Sequence, residues 1–148
     1  MKKLLAALAI LGLAAATGST RGQEKQSNAL NALMLKKLKN AQLVLEGIAI
    51  ADYAKITRGA EELLQASRQA EWFVFRTPRY QMHTNDFQRS AETMIQRAKD
   101  RNVEGAALAY FEMTMTCVRC HQHVRGIRDA RAPAARDALF AFLNDTAH

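Results

Sequence analysis

Residues 102–126 read NVEGAALAYFEMTMTCVRCHQHVRG, and the fold class turns on how this run is taken. Ala106, Tyr110, Met113, Thr114, Cys117, His121 and Val124 recur every three or four residues, the spacing of one helix face. Asn102 begins the turn into that helix, and Gly126 stands where its end can loosen. Inside the run, Cys117-Val118-Arg119-Cys120-His121 sets two cysteines three apart, with a histidine directly after the second. On a helix Cys117 and His121 lie one turn apart with Cys120 beside them, so a single segment presents two sulfurs and one imidazole together. The chain has no other cysteine.

That spacing is the pattern of covalent haem c attachment, in which each thiol bonds to the porphyrin and the histidine ligates iron. Three other readings compete for the same residues. A disulfide oxidoreductase needs a stabilised thiolate, commonly at a helix N-terminus, whereas this pair comes late in a helical pattern that starts near Val103. A zinc site could use Cys117, Cys120, His121 and His123, but structural zinc draws its second ligand pair from a distant segment, and no such pair exists. A disulfide closing so short a loop would stabilise little. Haem attachment is the expectation, with thiol or disulfide chemistry as the principal alternative. His123, about 200° around the helix from His121, is expected at the surface.

The other end of the chain bears on the same question. Lys2 and Lys3 precede an apolar run over residues 4–13 and the small residues Ala14, Ala15 and Ala16, the pattern of a secretory signal peptide cleaved after residue 16. The apolar run is too short for a membrane span, so the alternative, an uncleaved anchor, has weak support. The mature chain is then expected in the periplasm, where thiols persist when bonded to something. Without Lys2 and Lys3 the 21 basic residues fall to 19 against 14 acidic ones, a net charge of +5. An exported protein of this charge is not expected to meet nucleic acid; its basic faces suit acidic proteins, anionic lipid or haem propionates.

Between the ends, residues 17–26 read as a polar tether. From Ser27 a first helix carries Leu30, Met34, Leu38, Ala41, Leu45 and Ile48 on one stripe, with Lys36, Lys37 and Lys39 mostly on the other side and Gly47 closing it. Asp52 caps a second helix running to about Ala70, with Ile56, Ala60, Leu63, Leu64 and Ser67 inward. Residues 72–84, which include Pro78 and His83, read as a long connection able to cover something. Thr84 or Asn85 caps a third helix with Phe87, Ala91, Met94, Ile95 and Ala98 on its stripe. The whole is expected to be all-α: an antiparallel four-helix bundle over residues 27–128, with the attachment motif on the fourth helix. Residues 129–148 form a C-terminal extension; after Gly126, Arg128, Arg131 and Arg136 mark a hinge and Pro133 opens a short helix. Its apolar run around Leu139, Phe140, Phe142 and Leu143 is expected to fold back over the bundle, with docking to a partner as the alternative.

With an exported four-helix pattern and Cys117-Val118-Arg119-Cys120-His121 on the last helix, the chain resembles the class II c-type cytochromes, the cytochrome c-prime group. Arg125, four residues after the histidine, matches a basic position of that family. Met34 through Gly47 followed by Asp52-Tyr53 is similar to the family's first-to-second helix join, and Gly105-Ala106-Ala107-Leu108-Ala109-Tyr110 to the run leading into its attachment helix. The resemblance implies one covalent haem c held by Cys117 and Cys120, His121 as axial iron ligand, and Arg125 in contact with a propionate. In the family's six-coordinate branch a first-helix methionine reaches the opposite side of the haem, a position that falls on Met34. A homodimer through the first two helices is also implied, while the Phe-rich tail lies outside the family's pattern.

The function expected is electron transfer by a single-haem carrier docking with acidic redox partners. Beyond the motif, the chain offers no nucleophile or acid–base set for an enzyme. The alternative is a gas-binding haem protein for NO or CO, with an open iron position in an apolar pocket around Met34 and Leu38. His83 is a weaker alternative ligand.

Overall fold

Two turns of the same design set the helix boundaries. At the first, Ala51 takes the left-handed conformation (φ 54°), with Asp52 N–H donating to the Gly47 carbonyl at 2.8 Å and Ala51 N–H to Ile48 at 3.2 Å. At the second, Arg101 (φ 53°) plays the same part: Asn102 N–H donates to Arg97 at 2.9 Å and Arg101 N–H to Ala98 at 3.1 Å. Both satisfy the last carbonyls of one helix by the paired bonds of a Schellman ending. The residue that follows then starts the next helix. Asp52 accepts from Lys55 N–H at 2.9 Å, and Asn102 from Gly105 N–H at 2.7 Å.

The computed structural model describes the backbone of residues 2–69 and 72–145, and the side chains of residues 22–69, 72–134, 136–138 and 141. It contains four helices: α1 (Lys2–Ala49), α2 (Tyr53–Ala66), α3 (Pro78–Lys99) and α4 (Val103–Asp145). No strand occurs among the described residues, so the all-α, four-helix reading stands. Helical backbone also runs through residues 17–26, which had read as an irregular tether; residues 22–28 are exposed, so this part of α1 is propagated helix without a packed face. No described helix is long and apolar enough to cross a membrane.

Four boundaries depart from expectation. Gly47 does not end the first helix; it lies buried within α1, where a Cβ would come 2.9 Å from Ile56 Cγ1, so its role is close helix approach. The second helix stops at Ala66, and the third begins at Pro78 instead of Thr84 or Asn85. Thr77 is its N-cap, accepting from Tyr80 N–H at 3.2 Å, and proline suits the first helical position because it has no N–H to leave unpaired. Finally, α4 continues past Gly126 and Pro133 as one helix, with no hinge and no separate terminal helix. Proline removes one backbone bond there, yet residues 128–134 are exposed, so water can serve the freed carbonyl. The described side chains of the extension beyond residue 127 are exposed and do not cover the bundle; Leu139, Phe140, Phe142 and Leu143 lie outside the described side chains.

Each helix packs chiefly on its neighbour in the chain, α1 on α2, α2 on α3 and α3 on α4, while α1 and α4 meet far less closely. Ile56 and Leu63 of α2, Phe87 and Met94 of α3 and Met113 of α4 form the core with Val44 of α1. The stripes expected on α2 and α3 are buried nearly as read. On α1 the buried residues are instead Leu33, Val44 and Gly47, with Leu38 and Leu45 more than half exposed. The reason is that α1 has two apolar faces, one against α2 and one turned toward α4.

Gly59 marks the tightest crossing of α1 and α2: a Cβ there would lie 2.7 Å from Val44 Cγ2 and 3.0 Å from the Asn40 carbonyl. Gly59→Ala should therefore cost about 1–3 kcal/mol through forced separation of the helices. Ala51→Gly should act oppositely, gaining up to about 1 kcal/mol by relieving the left-handed alanine. Urea unfolding of both variants measures the two effects.

Candidate functional site

Because α1 and α4 scarcely touch, a groove of about 680 Å³ opens between them. Met34, Leu38 and Ala41 form its α1 wall, Tyr110, Met113, Cys117 and His121 its α4 wall, and Leu63 and Phe87 contribute from the other two helices. Leu35 and Leu38, 67% and 57% exposed, belong to the same lining. Large aliphatic side chains turned into an open groove are costly to leave in water.

The groove continues into a small cavity of about 20 Å³, where Cys120 joins Met34, Cys117 and His121. Four of the five expected site residues thus border one connected hollow. The fifth, Arg125, is exposed and lines neither part, but it lies one turn after His121 and acts on it through its charge. His121 is exposed on the groove wall, yet partial burial lowers its pKa first, with Lys37, Arg125 and Arg128 adding to the effect, which favours the neutral imidazole whose lone pair can bind metal.

Both cysteines are free and half-buried. Burial raises both thiol pKa values, and the Lys37 ammonium only partly opposes it. This direction counts against thiol–disulfide chemistry, which needs a depressed pKa. The zinc alternative also loses ground: among the described residues no three His, Cys, Asp or Glu side chains are grouped to hold a metal ion.

Three residues near the motif are placed differently from expectation. Lys37 does not face away: its ammonium lies 3.8 Å from the centre of the Trp72 ring and 4.3 Å from that of Phe87, inside the hollow. Burial lowers its pKa, with the nearby thiols opposing. Its spacing could have revealed this, since it stands three after Met34 and four before Ala41, within the apolar arc. His83 belongs to α3, not to a connection, and is 5% exposed with its Nε2 lacking any hydrogen-bond partner. His123 is half-buried, its ring centre 5.8 Å from that of His83 and its Nε2 3.5 Å from Thr77 Oγ1. The start of α3 packs over that side of α4, so His123 is not a plain surface residue.

Trp72 ties the α2–α3 connection to the site. Its indole N–H donates to Thr84 Oγ1 at 2.9 Å, its ring packs 5.0 Å from Phe87, and its carbonyl accepts from the Tyr80 hydroxyl. Comparison of the chain with protein-family models, curated proteins and solved structures gave no match.

Burial, with Cys120 nearby, pushes the Tyr80 pKa up from 10.0 to about 12. Between these values the unfolded tyrosine ionises while the folded one keeps its proton, so the native state binds more protons and stability falls as pH rises through the window. Tyr80→Phe should cost about 1 kcal/mol at pH 7, by removing one of the two donors to the Trp72 carbonyl while Val74 N–H remains at 3.0 Å, and should flatten the alkaline fall. Denaturant titrations across that pH range check both.

Proposed function

We propose that the chain is an exported single-haem c-type cytochrome of the class II kind, an antiparallel four-helix bundle that transfers electrons. The observation that carries this reading is the open, largely apolar groove with Cys117 and His121 on one wall and Met34 on the other. Its volume lies within the range of about 300–1,000 Å³ usual for cofactor pockets. The donor set suits haem c: two thiols and a neutral imidazole in one helical turn, beside a hollow that aliphatic side chains leave unfilled.

Bound there, haem supplies reversible one-electron chemistry at iron. Cys117 and Cys120 hold it by thioether bonds, and His121 donates its ring nitrogen to the metal. Met34 offers a thioether from the opposite wall, which favours reduced iron and closes the site to casual ligands. Leu35, Leu38 and Met113 exclude water, and Arg125 gives a positive charge to a propionate. Lys37, which has no carboxylate partner among the described residues, places a positive charge inside the hollow itself. Export explains why the thiols are best bonded, and the +5 mature charge suits acidic redox partners.

A gas-binding protein is the second reading, favoured by the openness of the groove around Met34 and Leu38. Met34→Leu separates the two, because it keeps volume and removes sulfur. A carrier should be low-spin and resist carbon monoxide, and the variant should become high-spin, bind carbon monoxide and show a lower potential. A wild type already high-spin and open to carbon monoxide, with an identical variant, establishes gas binding instead. Attachment is checked separately: protein exported in a host with c-type maturation machinery should keep its haem through acid–acetone extraction. Cys117→Ala should retain at most one thioether link.

A further inference from the structure

Beside the groove, sharing no residue with its main hollow and only His83 with the small cavity that continues it, α3 and α4 line a cleft of about 570 Å³. Its polar wall is Arg79, His83, Arg119, Gln122 and His123, and Ile127 lies on its apolar side. Among the described residues no acidic side chain lines it. Neither arginine has a carboxylate partner among the described residues, and Asp86, an acid close to His83, is 3.5 Å from Arg89. Two guanidiniums, two imidazoles and an amide therefore converge without a compensating negative charge.

His83, which stands between this cleft and the small cavity beside Cys120, adds a sign that something is to be bound. A buried imidazole nitrogen without a partner is costly, and Asp86, the one acid that acts on His83, is paired with Arg89. A metal ion is a poor candidate despite the paired histidines, because Arg79 and Arg119 repel cations and no third ligand is grouped with them. An anion reverses each cost: it accepts from both guanidiniums in their planar fork, and from the imidazole N–H groups. Burial, His123 and Arg79 lower the His83 pKa, so that ring stays neutral until a negative group arrives. The cleft is much larger than an inorganic oxyanion requires, and its apolar side suits a hydrocarbon body.

We infer that this cleft binds a small organic carboxylate, its oxygens held by Arg79 and Arg119 and hydrogen-bonded by His83 or His123, its apolar body against Ile127. The experiment is calorimetric titration of the purified full-length protein with benzoate, and separately with inorganic phosphate, while the visible spectrum is recorded. Saturable one-to-one binding of benzoate is expected, tighter than that of phosphate and without change in any iron-centred absorption band. Arg79→Gln should weaken it about tenfold, the loss of one charge-assisted contact, and His83→Gln should weaken it in the same direction. Arg79 is exposed, so its replacement leaves folding intact, which a thermal melt verifies. Arg97→Gln, on α3 outside the cleft, should bind as wild type does. Absence of saturable binding overturns the inference, as does binding unaffected by Arg79→Gln and His83→Gln. Phosphate binding tighter than benzoate overturns the carboxylate assignment, and benzoate binding that tracks an iron absorption band places the ligand elsewhere.

Discussion

A chain of four amphipathic helices has four seams to close, and side chains here close three. Between α1 and α4 the helices carry apolar residues toward one another but scarcely touch, and the hollow between them is lined by Met34, Leu38, Tyr110 and Met113. An unfilled space of this size forfeits both burial and dispersion contacts, a cost that grows with volume. The rest of the structure is arranged around that cost. Gly47 and Gly59 draw α2 tightly against α1. Trp72 and Tyr80 fasten the connection to α3, and the α3–α4 seam buries Phe87, Met94 and Met113. Tight packing on three sides holds the fourth side apart.

Much of this arrangement is written locally. Asp52 and Asn102 were readable as starts because an Asx side chain before a periodic run has a single obvious use. The stripes of α2 and α3 were readable because each helix has one buried face. The failures share a different cause. Gly47 resembles a helix ending, yet glycine serves close approach as readily as a left-handed turn, and the turn went to Ala51. Thr77-Pro78 is a helix start as legible as Asp52, but Pro78 inside an aromatic-rich stretch reads as a breaker until the cap before it is noticed. On α1 a single stripe was sought where two faces exist. That choice misplaced both Leu33 and Lys37.

The site divides along the same line. Cys117, Cys120 and His121 were legible because spacing alone puts them on one turn. Met34 was legible as a position on a stripe, although the two-faced character of α1 decides that it turns to the groove. Lys37, His83 and His123 were obscured because their surroundings come from other helices: the aromatic pair above Lys37 belongs to the α2–α3 connection and α3, and the His83–His123 pair spans two helices. Tertiary neighbours, unlike spacing, leave no local trace.

The electrostatics of the motif bear on its chemistry independently of its spacing. In a redox-active Cys-x-x-Cys pair the surroundings favour the thiolate. Here burial raises both thiols, while Lys37 opposes it only in part. The same burial, aided by Lys37, Arg125 and Arg128, lowers His121. One environment therefore holds two thiols protonated and one imidazole unprotonated, all neutral, facing an apolar hollow. Neutral sulfur and neutral nitrogen are what a low-dielectric cavity that already holds the Lys37 ammonium tolerates without a counter-ion. A cofactor bonded through both sulfurs removes the ionisable S–H groups altogether and fills the volume that the helices leave open. In the proposed reading the two features that cost the bare chain most, the open seam and the unbonded thiols of an exported protein, are resolved by the same ligand.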